Sequence, residues 1–268
     1  MNSLQNQVVV ITGSSRGFGL AMAREFQNAG ARVVLSSRDQ AAIQQAIAKL
    51  PNSANALGVV CDVRELTQVE QLAQAAVARF GKIDVWINNA GVAHRYAKLL
   101  EVDPQDWRAS IETNLVGAYH GCRVALEQML PYRAGQIVNI LGMGADRPAP
   151  NQTGYGASKA ALMRLTESLA QEYADNGVAI CAVRPGMMWT DMLTGAEGVQ
   201  TPELHERMEW AMRVFGNPPQ VPAQFVARLI ERGTASGKSY QVVKPTMFVP
   251  RMVGEMLGAG KRNPRPWS

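Results

Sequence analysis

The sequence predicts an α/β protein: one doubly wound parallel sheet of about seven strands with helices on both faces. Three observations carry this. Short, β-branched apolar runs alternate with longer stretches of helical periodicity along almost the whole chain. Glycine-rich or polar turns follow several of the apolar runs, where such sheets bind ligands. No internal repeat or low-complexity linker divides the 268 residues, so a single domain over 1–268 is expected.

Residues 7–12 form a short β-branched run suited to a strand buried on both faces. Gly13-Ser14-Ser15-Arg16-Gly17-Phe18-Gly19 follows at once, and helical spacing resumes over 20–29. Glycines admit positive φ and close approach of backbone to ligand. A helix N-terminus offers free N–H groups and a positive dipole end to a pyrophosphate. Strand, turn and helix therefore read as a dinucleotide site, with a ligand-free tight turn as the alternative. The next strand, 31–36, ends in Ser36-Ser37-Arg38. An acidic residue there would hold a ribose 2′-hydroxyl. Instead Ser37 and Arg38 stand there, and Arg16 lies in the glycine turn. Two guanidinium groups suit a 2′-phosphate, so NADP(H) is expected rather than NAD; two surface arginines are the alternative.

The pattern continues with a helix over 40–50, a loop over 51–55 and a strand over 57–61 that runs into Asp62-Val63. A helix over 67–80 is ended by Gly81. A strand over 83–87 runs into Asn88-Asn89-Ala90-Gly91. Residues 106–128 read as one long helix with Asn114 in its middle, where asparagine has poor helix propensity. Strands follow at 135–140 and 178–182, and residues 240–243 suit a seventh, with a helix over 222–233 before it.

Between the fifth and sixth strands stands Gly154-Tyr155-Gly156-Ala157-Ser158-Lys159, at the start of an apolar helical run to Tyr173. Positions i and i+4 share a helix face. An ammonium beside a phenol favours the phenolate and lowers its pKa, which makes a usable acid/base. By itself this spacing is also that of a solvated helix face.

These motifs, in this order, resemble the short-chain dehydrogenase/reductase family over nearly the full chain. The matching elements are the turn from Thr12 to Gly19, Asp62-Val63, Asn88 to Gly91, Asn114, the Tyr155/Lys159 pair, and Pro185-Gly186 with Thr190. The resemblance implies a Rossmann fold and a nicotinamide cofactor held by Gly13, Ser15, Arg16, Gly17, Phe18 and Gly19. It implies that Asp62 and Val63 receive the adenine and that Asn89, Ala90 and Gly91 line the adenosine ribose. Tyr155 would be the acid/base, Lys159 would hold the nicotinamide ribose and lower the Tyr155 pKa, and Asn114 would anchor a proton-relay water. Pro185, Gly186 and Thr190 would border the carboxamide. The implied activity is NADPH-dependent reduction of a carbonyl, with a small carbonyl or alcohol compound as partner and a homodimer or homotetramer as assembly.

One family element is missing. A serine normally stands thirteen positions before the tyrosine; here that position is Gly142, in Leu141-Gly142-Met143-Gly144. Losing such a donor costs about 10²–10³ in rate. A backbone N–H of the turn, or Asn151 or Thr153, is a candidate replacement. A bulky or activated substrate is a second explanation, and a non-catalytic NADP-binding sensor or scaffold a third; the intact Tyr155, Lys159 and Asn114 oppose the last. The turn and the Arg147-Pro148-Ala149-Pro150 stretch after it resemble the chlorophyll b reductase subgroup, as do Lys244-Pro245-Thr246 and the 258–263 segment. The turn is one residue shorter here than in that subgroup. That resemblance implies a formyl group on a large tetrapyrrole, for which a glycine leaves room.

Residues 187–220 read as a substrate lid, rich in methionine and aromatics, with Gly142, Met143, Met188 and Trp189 as expected substrate contacts. Residues 244–268 form a basic amphipathic tail, compatible with a membrane surface, with the protein's own body or with a neighbouring subunit. The net charge of +5 comes without a zinc-finger pattern or long basic run, so nucleic acid is not expected. Cys61, Cys122 and Cys181 stand apart among apolar neighbours, as core residues of a reducing compartment. No signal-peptide pattern opens the chain, and a cytoplasmic location is expected. His94, His120 and His205 lack ligand spacing, so no metal site is expected.

Overall fold

The structure, a computed structural model, describes residues 4–189, 202–243 and 248–256. Seven strands form one sheet: β1 (Val8–Ile11), β2 (Arg32–Ser37), β3 (Ala56–Val60), β4 (Val85–Asn88), β5 (Gly135–Ile140), β6 (Val178–Arg184) and β7 (Ser239–Gln241). Their order is β3-β2-β1-β4-β5-β6-β7, and every pairing is parallel. The strand order reverses between β1 and β4, which opens a crevice at their carboxyl ends.

The helices are α1 (Gly17–Asn28), α2 (Gln40–Ala48), α3 (Leu66–Phe80), α4 (Pro104–Ile111), α5 (Gly117–Met129), α6 (Thr153–Glu172), α7 (Pro202–Phe215), α8 (Gln220–Arg232) and α9 (Val249–Met256). Alternate strand residues point to opposite faces. Val9, Ile11, Val33, Ile87 and Val183 pack against Met22 and Phe26 of α1 and Val226 and Ile230 of α8. Val8, Val10, Val34, Trp86 and Ile137 pack against Val69 and Leu72 of α3 and Ala125 and Met129 of α5. With both faces covered, the central strands are apolar throughout, which is why they read as continuous runs rather than alternations. All three cysteines are buried and free, as the sequence suggests.

Several boundaries differ from the sequence reading, each for a local reason. Helix α1 starts at Gly17, not Leu20, because the Leu20 N–H already donates to the Arg16 carbonyl (3.2 Å), closing a first turn that Gly17 enters with φ +56°. The seventh strand is shorter and earlier than expected. The long helix expected over 106–128 is interrupted: a π turn over Glu112–Val116 separates α4 from α5. Asn114, the residue of poor propensity, lies in that turn. Single π turns inside helices are frequent at functional sites.

A buried polar cluster joins sheet and helices on the α5/α6 face. Trp86 Nε1 donates to Asn88 Oδ1 (2.9 Å) and Asn88 Nδ2 to Asn139 Oδ1 (2.8 Å). Asn139 Nδ2 then donates to Thr166 Oγ1 (2.9 Å), and Thr166 Oγ1 to the Leu162 carbonyl of α6 (2.7 Å). These bonds tie α6 to the two strands whose ends border the crevice.

The start of the tail leans on the lid. Phe248 meets Phe215 edge-on with centroids 4.9 Å apart, and Arg251 donates to the Gly216 carbonyl (3.0 Å) and to Asn217 Oδ1 (3.1 Å). Of the three roles open to the tail, its described part takes up contact with the protein's own body. Among the described residues no helix is long and apolar enough to cross a membrane.

Candidate active site

The crevice is built from the end of β1. Thr12 Oγ1 accepts from the N–H groups of Asn89 and Ala90 (both 3.0 Å), and Asn89 Nδ2 donates to the carbonyls of Thr12 (2.9 Å) and Gly13 (3.0 Å). These bonds weld the ends of β1 and β4. They also spend the Asn89 amide on holding the glycine turn, which limits what it offers a ribose. Gly13 has φ +62°, and a Cβ there would meet Ala90 Cα at 2.7 Å. A Cβ on Gly19 would meet the Gly13 carbonyl at 2.6 Å. The turn therefore requires glycine at both positions.

Helix α1 opens on this turn with Arg16 as its cap residue and no side-chain cap bond to its first N–H groups. A pyrophosphate suits such a terminus, so the chain fits a dinucleotide. Ser15 is half-buried, while Arg16 and Gly17 are exposed at the crevice edge. Phe18 departs from the expectation. Its ring is buried in the α1 core cluster, so only its main chain is available to a ligand.

Ser37 and Arg38 stand at the carboxyl end of β2, with Arg38 exposed. The nearest carboxylate in sequence, Asp39, caps α2 by accepting from Ala41 N (2.8 Å) and Ala42 N (3.1 Å). Asp62 accepts a fork from Arg64, with Nε 3.0 Å from both carboxylate oxygens and Nη2 2.6 Å from Oδ2. The Arg64 hydrogen bonds hold the Asp62 carboxyl below its ordinary range against the opposing effect of burial, and the charges of Arg64 and Arg38 add to this. Arg64, to which the sequence reading gave no role, holds Asp62 in place. Val63 is buried against Gly117, where a Cβ would meet Val63 Cγ2 at 2.5 Å.

The catalytic candidates converge across the crevice. Asn114 Oδ1 accepts from Val92 N (2.8 Å), and its Nδ2 donates to the Val92 carbonyl (2.9 Å) and to Ser158 Oγ (3.0 Å). Ser158 Oγ donates in turn to the Tyr155 carbonyl (2.6 Å). Both amide hydrogens of Asn114 are thus committed to positioning, and the expected relay water can engage its side chain only through the amide oxygen. Ser158 is a further positioning residue; its place one turn from Tyr155 inside a buried helix face was the available signal. A Cβ on Gly91 would lie 3.2 Å from Asn114 Oδ1 and 3.8 Å from Lys159 Nζ, so loop, π turn and helix meet at one point.

Lys159 is buried, its Nζ donating to the Ile140 carbonyl (2.9 Å) and lying 5.6 Å from the Tyr155 ring centroid. Burial pushes the Lys159 ammonium down to about 8 and the Tyr155 phenol up to about 12. The sequence led to the opposite expectation for Tyr155. In this arrangement desolvation outweighs the ammonium, whose hydrogen is turned to a carbonyl rather than to the phenol oxygen. The phenol is therefore neutral at physiological pH and poised to donate.

Gly142 explains the missing serine in part. A Cβ at this position would lie 2.1 Å from the Tyr155 hydroxyl and 2.9 Å from its Cζ. The phenol occupies the space a side chain would need. Thr153 stands exposed at the start of α6, where its Oγ1 accepts from Trp107 Nε1 (3.3 Å). The N–H groups of Gly142 and Met143 donate to no carbonyl among the described residues.

The substrate side is only partly as expected. Met143 is exposed beside the turn, at 51%. Pro185 is buried and Gly186 exposed after β6. Met188 packs on the core, and Trp189 Nε1 donates to the Met212 carbonyl (3.2 Å), close against Gly216. These contacts tie Met188 and Trp189 to the core and to the lid. Thr190 lies outside the described residues, as do Met192, Leu193, 244–247 and the 258–263 segment. Among the described residues no group of His, Cys, Asp or Glu is arranged for a metal.

A phenol and a buried ammonium set across the strand ends from a glycine turn suit a nicotinamide-dependent oxidoreductase acting on a CH–OH/carbonyl pair. The chain belongs to the short-chain dehydrogenase/reductase family, whose short chain dehydrogenase model matches residues 7–198. It is similar to the chloroplastic chlorophyll(ide) b reductase NOL of Arabidopsis thaliana, 35% identical over 246 residues, which covers 89% of this chain and 68% of that one. It is also similar to 3beta-hydroxysteroid dehydrogenase 1 of Eggerthella lenta, 34% identical over 256 residues and covering 92% and 94% of the two chains. Among solved structures, an actinorhodin polyketide ketoreductase with NADPH is 30% identical with a TM-score of 0.78, covering 88% of this chain and 95% of that one. A 3-ketoacyl-(acyl-carrier-protein) reductase from Brucella melitensis complexed with NADH is 28% identical with a TM-score of 0.79, covering 89% and 97%.

Two outcomes follow from this geometry. Lys159 binds its proton less tightly when folded than near its ordinary 10.5. Between about pH 8 and pH 10 the unfolded chain therefore holds more protons at this residue, and stability rises with pH. Burial also pushes the Cys61, Cys122 and Cys181 thiols up to about 12, which lowers stability with pH in both proteins, so denaturant unfolding from pH 7 to 9.5 should show a more positive slope of stability against pH in the wild type than in Lys159→Met. Equal slopes for the two proteins would contradict the burial argument. Restoring the family's serine, Gly142→Ser, should lower turnover about tenfold or more because the phenol must move, with cofactor affinity unchanged. Steady-state kinetics that show a gain in turnover would contradict it.

Proposed function

We propose that this protein is an NADPH-dependent carbonyl reductase whose substrate is a bulky aldehyde or ketone. The observation that carries the reading is the Tyr155 hydroxyl seated against the Gly142 turn with the buried Lys159 beside its ring. NADPH, when bound, would supply the hydride for the carbonyl carbon. Tyr155 then donates its hydroxyl proton to the carbonyl oxygen. Lys159, buried next to it and able to exchange its proton near neutral pH, stands ready to restore that proton. The N–H groups of Gly142 and Met143, which donate to no carbonyl among the described residues, are available to donate to the developing oxyanion in place of the serine hydroxyl.

Preference for NADPH is supported by what the carboxylates near β2 are doing. Asp39 is used up as a helix cap and Asp62 is clamped by Arg64. Both carboxylates are thus engaged with the protein, while Arg38, exposed at the end of β2, offers positive charge to a 2′-phosphate. A formyl group on a large ring system is supported by the likeness to the chlorophyll(ide) b reductases.

The test is oxidation of NADPH with a panel of aldehydes, ketones and formyl-tetrapyrroles. Tyr155→Phe is expected to lose about 10²–10⁴ in turnover on any active compound, with NADPH binding intact. Unchanged turnover in that variant would leave a cofactor-binding sensor or scaffold as the better reading. For the cofactor, Arg38→Asp is expected to weaken NADPH about ten- to a hundredfold more than NADH, read by nucleotide fluorescence titration. Equal weakening of both would sink the NADPH assignment.

A further inference from the structure

We propose that His94 is a positioning residue for the reaction: its Nε2 caps the first turn of α6 and so sets where the Tyr155 hydroxyl sits. This rests on Tyr155 being the proton donor.

The first N–H groups of a helix have no acceptor within it. Gln152 precedes α6 as its cap residue, yet its side chain makes no cap bond. Its amide instead donates to the His94 carbonyl (2.7 Å). The cap comes from the imidazole: Gly154 N–H donates to His94 Nε2 at 3.1 Å. Because Nε2 accepts, the ring proton is on Nδ1, which donates to the Arg95 carbonyl at 2.7 Å. Both ring nitrogens are therefore spent, in one neutral tautomer. The residue is only 4% exposed. An imidazolium would present an N–H to the Gly154 N–H and a positive charge to the positive end of the helix.

The placement makes this cap bear on the chemistry. Gly154 immediately precedes Tyr155. A Cβ on Gly154 would lie 3.0 Å from Trp107 Cδ1 and 3.1 Å from His94 Cδ2, so the ring and the first turn are in contact. His94 stands on the loop that follows Gly91, and Val92 of that loop is bonded twice to Asn114. Asn114 reaches α6 again through Ser158. The loop from β4 thus holds α6 at two places, below Tyr155 through Asn114 and Ser158 and at its start through His94. With the Tyr155 hydroxyl fitted against the Gly142 backbone, a small tilt of that first turn moves the reacting proton.

The test uses the full chain. With 4-nitrobenzaldehyde as the activity probe, His94→Leu removes the acceptor and His94→Gln returns one on a neutral side chain. His94→Leu is expected to lower kcat about ten- to a hundredfold, with KM and the NADPH Kd within about threefold. His94→Gln is expected to recover most of the loss. Unchanged kcat in His94→Leu overturns the proposal, as does equal impairment of the two variants. Independently of turnover, ¹⁵N spectra of the wild-type histidines should show His94 protonated at Nδ1 and bare at Nε2. An Nε2–H tautomer or an imidazolium at neutral pH overturns the cap even if His94→Leu does not fold. Should no aldehyde, ketone or formyl-tetrapyrrole of the panel be reduced by the wild type, the reductase reading fails, while the spectra still decide whether His94 caps α6.

Discussion

A buried ammonium group held by one strand carbonyl sets the layout of the site. Lys159 Nζ donates to the Ile140 carbonyl at the end of β5. Burying a charge with few partners is costly, and the depressed Lys159 value registers that cost. The cost is accepted where it brings helix α6 down onto the strand end. There the phenol of Tyr155 meets the turn that follows β5 and finds no side chain at Gly142.

The rest of the core works to keep that seat in place. The Trp86–Asn88–Asn139–Thr166 chain runs from β4 through β5 to α6, two turns beyond Lys159. Each amide in it is satisfied, so the cluster specifies a register between helix and sheet instead of weakening the interior. On the crevice side Thr12 and Asn89 lock the ends of β1 and β4 together. One result is that residues usually thought of as ligand contacts, Asn89 and Asn114, spend their amides on the protein itself. They act by holding backbone where a ligand needs it.

The lid and the beginning of the tail form a second layer. Asn217 pairs in parallel with the segment around Met188, and it is held from the other side by Arg251 of α9. The segment that follows Pro185-Gly186 is therefore braced from the C-terminal end of the chain. Trp189 belongs to that brace through its bond to the Met212 carbonyl.

Much was already determined by the sequence. The period of the apolar runs and the glycine turn specify a parallel sheet with a phosphate-accepting helix start, because these are local properties of strand burial and of φ. The Tyr155/Lys159 spacing and the order of the motifs specify the family. What only the tertiary structure decided involves partners distant along the chain. The π turn at Asn114 exists because Val92 and Ser158 are there to satisfy its amide. The direction of the Tyr155 pKa depends on how deeply α6 is buried, which no spacing reveals. His94 looked like an isolated histidine without a ligand; only folding brings its Nε2 to Gly154. The absent serine read as a lost donor, whereas in the folded chain the same glycine is the space in which the phenol rests.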